Sequence, residues 1–300
     1  MRQCGGCRAP DGGNGSAGAS GTGAVGIWTA GVIRFGDQNA GLNNQSYEFE
    51  SEGITIGADY RFSPNFAAGL GIGFGRDTVD IGKNGSRSRG EAKTVALYAS
   101  YLPGSGIFID GLVGYQWLDF DLRRYVTSTA RLVDPQRSGH QWLGSVSLGA
   151  DLMRGKWQFT PYARLDFSRA RLEGYTESSG SVFDLTFLDQ SVDSTSLGLG
   201  TRLRYSADLG GGTRLYPELK AEYLWQLDRN GDVLVTYADL LAGPYSALRL
   251  NTLDRDELVL GGNLDLELRS NWLFGVEYLS RFASGVGSDS TVKVVISHEF

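Results

Sequence analysis

The chain has 300 residues, with 43 Gly but only 7 Pro, 11% aromatic residues and a formal net charge of -6. A disordered or collagen-like chain would raise Gly and Pro together, and a nucleic-acid partner would call for a basic patch, so both classes are excluded. Mean hydropathy is -0.20 and no 18-residue apolar run exists, which excludes a transmembrane helix but leaves a membrane β-barrel open.

Residues 1–25 are a Gly/Ser/Ala tract, read as a flexible leader. The opening MRQCGGCRAP has no apolar h-region, so no signal peptide is visible and the expectation is a fragment or a misplaced start. Cys4 and Cys7 form a single CxxC with no second pair and no nearby His; no metal site and no cofactor are predicted from it. From Gly26 the hydropathy period becomes 2 and stays there. Ile54, Ile56, Ala58, Tyr60 and Phe62 alternate with Thr55, Gly57, Asp59 and Arg61. Phe66 to Phe74 alternate with glycines in the stretch GLGIGFG, which opens no helix and lacks GKS/T, so it is no phosphate loop; its glycines are expected to leave lumen space or permit curvature. Similar alternation recurs around Trp157, Leu215, Leu258 and Val292. Twelve strands are predicted, at 26–36, 47–62, 65–78, 91–102, 106–122, 139–153, 156–172, 192–206, 213–228, 256–269, 271–283 and 290–300.

The connections carry more information than the strands. After even-numbered strands they are short, such as Ser63-Pro64 and Arg154-Gly155; after odd ones they are mostly long and polar, at 37–46, 79–90, 123–138, 173–191, 229–255 and 284–289. Short turns at one end and long loops at the other are the pattern of an outer-membrane barrel, and the strands are long enough to cross a bilayer. The fold class read here is all-β: a transmembrane antiparallel barrel of about twelve strands over 26–300, after the leader.

A membrane barrel puts its polar face inside. The predicted lumen residues are Asp59, Arg61, Arg164, Asp166, Arg202, Arg204, Glu218, Lys220, Glu222, Asp265, Glu267, Glu277 and Arg281; hydrocarbon offers such groups no partners. Tyr60, Phe62, Tyr101, Trp157, Phe159, Tyr205, Trp272 and Phe274 lie beside the short turns and suggest one aromatic girdle. Tyr115, Trp117, Trp142, Phe167, Tyr223 and Trp225 would form the other. Pro161 and Pro217, each about five residues past a short turn, are expected at bulges. Of the two histidines, His298 stands among apolar neighbours and His140 lies beside Ser138 near the loop end; neither is expected to work as a catalytic base, and no HExxH occurs. No enzymatic activity is predicted.

The last strand places Val292, Val294, Ile296, His298 and Phe300 on one face and ends there. It resembles the C-terminal signal read by the barrel-assembly machinery, with His298 where a bulky residue such as Tyr is preferred. With the twelve strands, Thr160-Pro161-Tyr162-Ala163-Arg164, Leu172 to Ser178 and GYQWLDFDL, the chain is similar to the autotransporter β-domain of type V secretion. That resemblance implies a monomeric barrel in a Gram-negative outer membrane, touching its lipid and lipopolysaccharide. It further implies a pore that carries an N-terminal passenger to the cell surface, with both termini periplasmic or the N-terminus threaded through the pore. The family often has a helix ahead of its first strand; residues 1–25 are Gly-rich instead, and Asn14 lies in no predicted helix. A passive porin-like channel or structural protein is the alternative reading, and an outer-membrane hydrolase the third.

Overall fold

The computed structural model describes residues 23–38, 46–240, 244–248, 256–283 and 287–300. Most of the Gly-rich leader, with Cys4, Cys7 and Asn14, lies outside the described residues. The period-2 segments form twelve long strands: β1 (Val25–Gln38), β2 (Tyr47–Ser63), β3 (Phe66–Ile81), β4 (Ser86–Gly104), β5 (Ile107–Val126), β6 (Gln136–Ala150), β7 (Trp157–Leu172), β8 (Gln190–Tyr205), β9 (Thr213–Asn230), β10 (Asp256–Glu267), β11 (Trp272–Ala283) and β12 (Gly287–Glu299). Each pairs antiparallel with the next. β12 returns to β1, from Gly26↔Glu299 to Gln38↔Gly287, so the sheet closes into a twelve-stranded barrel. The Phe300 amide extends that seam by donating to the Val25 carbonyl at 3.0 Å. Closure leaves the barrel without an exposed edge.

The turns at one end are tight. Gly210, Gly211 and Gly212 all have φ between 64° and 85°, which residues with a Cβ adopt only at a cost, so the Leu209-to-Thr213 reversal needs its glycines. At the opposite end the structure corrects the predicted loops. Residues 79–90 are not a loop: β3 runs to Ile81, β4 starts at Ser86, and a four-residue turn joins them. Likewise Arg131–Val133 folds back on Arg124–Val126. Much of the reach at this end is therefore strand extension.

The prolines are also corrected. Neither sits at a bulge. Pro161 keeps its register with Thr201 of β8, while the β6–β7 ladder lapses opposite it, between Gly149↔Tyr162 and Leu152↔Phe159. Pro217 keeps its register with Leu264, and the β8–β9 side lapses between Arg204↔Glu218 and Ala207↔Leu215. In both cases the gap falls where proline has no N–H to give.

Two loops read from sequence as polar connections build a second sheet. Tyr175–Thr176, Leu185–Phe187, Val233–Tyr237 and Ser246–Leu248 pair in that order above the barrel's long-loop end. Val126, Val133, Val233 and Val235 are buried in this region. Arg124 anchors it to the barrel, its Nε donating to Glu177 Oε1 at 2.6 Å, with a second bond from Nη2 to Oε2. Asp184 accepts from the amides of Ser179 (2.7 Å), Gly180 (3.0 Å) and Ser181 (3.3 Å) and from the Ser179 hydroxyl. The Ser179 hydroxyl bond and these amides hold the Asp184 carboxyl below its ordinary range.

Candidate functional site: the barrel lumen

The distribution of burial is the inverse of a water-soluble protein. Leu97 and Leu219 are 62% and 67% exposed on the outer face, whereas Glu222 and Asp265 are 2% and 1% exposed on the inner one. Aliphatic side chains that no protein atom covers need a lipid solvent. Aromatic pairs bound the apolar zone. Near the short turns are Tyr60–Phe62 and Trp157–Tyr205, each 4.8 Å between ring centroids. Toward the loops are Tyr115–Trp117 and Tyr115–Trp142 at 4.9 Å, and Tyr223–Trp225 at 4.7 Å. Trp157 and Phe167 bracket the zone on β7; ten residues of tilted strand cover about 25 Å of bilayer. Beyond that level the outer face turns charged, with Arg76 bridging Glu91 at 3.2 Å and Arg169 bridging Asp193 at 2.6 Å.

The thirteen predicted lumen residues all lie on the inward face of their strands, opposite the exposed apolar positions. Register brings most of them into ion pairs. Glu222 is shared: its Oε1 meets Arg164 Nη2 at 3.0 Å and its Oε2 meets Lys220 Nζ at 3.2 Å. Arg164 Nε also reaches Asp166 at 3.0 Å. Arg204 spans β9 and β10, bonding Glu218 at 2.8 Å and Asp265 at 2.9 Å. Tyr216 donates to Glu267 at 2.6 Å. Glu277 faces Lys293 at 3.8 Å, and the Arg202 guanidinium lies 4.5 Å from the centre of the Tyr162 ring. Arg61 is buried, and Asp59 accepts from the Tyr98 hydroxyl at 3.1 Å. Arg281 lines the cavity described next.

Sequence reasoning missed Trp28, Tyr98, Arg34 and Lys293. Trp28 Nε1 donates to the Tyr98 hydroxyl at 2.6 Å, forming a brace across β1, β2, β3 and β4. The signal for it was the glycines: a Cβ on Gly57 would stand 2.4 Å from the Trp28 ring, and one on Gly69 2.5 Å from Tyr98. Thus some glycines of β2 and β3 seat aromatic rings, and only those farther along leave space. Gly53, Gly73 and Gly75 border a cavity of about 670 Å³ on the loop side of the brace. Arg34 is held by Asp289 through two bonds of 2.9 and 2.7 Å.

Both histidines pack on aromatic rings. Ser138 donates to Asp119 at 3.1 Å, and His140 stacks on Tyr115. Both residues face outward with the girdle. His298 packs between Trp272, at 4.6 Å, and Phe300, at 4.4 Å, on the outer face. Val292, Val294, Ile296 and Phe300 share that face.

Comparisons with known proteins agree with this geometry. The sequence model of the Autotransporter beta-domain family matches residues 27–279. Esterase EstA of Pseudomonas aeruginosa is 26% identical over 214 residues, covering 68% of this chain and 32% of the relative; the chain spans about a third of the length of such curated relatives. The translocator domain of the autotransporter NalP from Neisseria meningitidis superposes with a TM-score of 0.70 at 17% identity, covering 93% of this chain and 89% of that one. The beta domain of the Bordetella autotransporter BrkA gives 0.70 at 17% identity, over 92% of this chain and all of the other, 100%.

Proposed function

The chain belongs to the autotransporter β-domain family, and from that premise we propose how its barrel works. Membership makes it an outer-membrane translocator of a Gram-negative bacterium, in a fold that is itself non-enzymatic. The passenger joins the chain ahead of Val25, at the short-turn end, which faces the periplasm. It crosses as an extended segment past the charged wall, whose ion pairs keep the lumen wet while holding its shape. The C-terminal residues Val292, Val294, Ile296, His298 and Phe300 are read by the barrel-assembly machinery before β12 zips to β1. Lipopolysaccharide packs against the outer face near the upper girdle, and the barrel functions as a monomer. It carries no activity of its own: an esterase relative about twice this length has room for its chemistry outside the matched region, and His140 and His298 both pack on aromatic rings.

The observation that carries this reading is the inverted burial, apolar outside and charged inside a closed wall. The test is a fusion of a signal peptide and an epitope ahead of Gly23, expressed in a Gram-negative host. External protease on intact cells should remove the epitope while the barrel migrates as a folded species on an unboiled gel. A folded barrel with an epitope protected in every cell would refute translocation. A large steady conductance of the barrel without any displayed epitope would favour a passive channel.

A further inference from the structure

Of the described cations lining the lumen cavity, two make no close ion pair, although Asp289 stands across the ladder from one of them, Arg281. Glu222 is committed to Arg164 and Lys220, Glu218 and Asp265 to Arg204, and Asp289 to Arg34. Lys293 has Glu277 at 3.8 Å. Arg202 and Arg281 make no ion pair with any described residue, and the Nε of each is buried without a hydrogen-bond acceptor. Both line the same cavity of about 670 Å³. Arg202 also stands directly across the ladder from Lys220, with both cations near the Tyr162 ring, at 4.5 and 5.9 Å. Like charges opposite each other on neighbouring strands repel, and a desolvated guanidinium without an anion is costly. The facing wall is mostly small and uncharged, with Gly53, Thr55, Gly73, Gly75, Thr94 and Gln116; of its carboxylates, Glu52 and Glu91 meet Arg76, and Asp77 accepts from the Ser51 hydroxyl.

We propose that the lumen cavity is an oxyanion site, in which Arg202 and Arg281 receive a carboxylate or phosphate group. A guanidinium fork matches the planar or tetrahedral oxygens of such groups. The smooth glycine wall gives the anion-bearing molecule its room. Inorganic phosphate and the acidic side chains of a polypeptide inside the lumen share this chemistry. The proposal needs only the closed barrel, so it stands apart from whether a passenger is carried.

The test is calorimetric titration of the folded full chain in detergent with inorganic phosphate and, separately, with triglutamate. Wild type should bind at least one of the two saturably. Arg202→Gln and Arg281→Gln should each weaken binding about tenfold, the loss of one charged hydrogen bond, and the double variant should abolish it. Migration on an unboiled gel reports that each variant is folded. Phosphate binding alone assigns a small-anion site; triglutamate binding, with or without phosphate, assigns a site for acidic side chains of a polypeptide. Absence of saturable binding of both probes to folded wild type overturns the proposal, as does undiminished binding by either folded single variant or by the double variant.

Discussion

The two halves of the lumen wall are built from one backbone and filled in opposite ways. From β1 to β5 the inner face is mostly small residues, crossed by the Trp28–Tyr98 brace. From β7 to β12 it is a mesh of charges tied across neighbouring strands. One half makes room and the other supplies charge. A barrel of this size cannot leave both walls bare without losing its shape, nor fill both without closing its lumen. Between the girdles the outer surface shows no such division: it is apolar all round, because lipid is the same on every side.

This contrast can be broken at several points. The largest effect is expected at Glu222, which neutralises two cations at once. Glu222→Gln leaves Arg164 and Lys220 under-compensated and should destabilise the barrel by about 3–5 kcal/mol, read by denaturant unfolding in vesicles. Next comes the outer face: Ile56→Arg puts a charge into the apolar zone and should cost about 2–4 kcal/mol. A charged residue at the neighbouring inward position, Thr55→Arg, borders the cavity and should be tolerated far better. If the two substitutions cost the same, the assignment of faces fails.

A third test lies within the glycine wall. Gly57→Ala forces a Cβ to within 2.4 Å of the Trp28 ring and should cost about 1–3 kcal/mol through overpacking. Gly75→Ala meets nothing closer than 3.6 Å and should be nearly silent. The smallest effect belongs to the loop sheet. Asp184 is held below its ordinary range in the folded state. Its contribution is therefore present above the unfolded carboxylate pKa and lost as pH falls through the lower, folded value. Below about pH 4, and in Asp184→Asn at neutral pH, amide exchange over residues 177–185 should quicken while the barrel strands stay protected.

The faces and the strand count were legible in the sequence because period 2 is local: Leu215 to Leu227 announces its own two sides. The partners were not legible, because Arg204 meets Asp265 across 61 residues and only the barrel's register puts them together. Lys293 was passed over although its parity placed it inside, since β12 was read for its outward signal. The Trp28 brace was written as glycines on other strands. The loop sheet joins Leu185 to Tyr237 through stretches too short for periodicity to show. Pro161 and Pro217 look like bulges to any local reading; the lapses that accommodate them lie on the neighbouring strands.

The claim beneath all of this is a lipid-facing exterior and a wet interior on alternate residues. It is tested most directly by single cysteines in a background with Cys4 and Cys7 replaced by Ser, labelled with a hydrophilic maleimide in lipid vesicles. Four cavity-lining positions, Thr55, Thr94, Asn263 and Thr291, are compared with their outward neighbours Ile54, Val95, Leu264 and Val292. The account predicts rapid labelling of the first four and protection of the second four. Labelling of the outward set, or equal labelling of both, would contradict it.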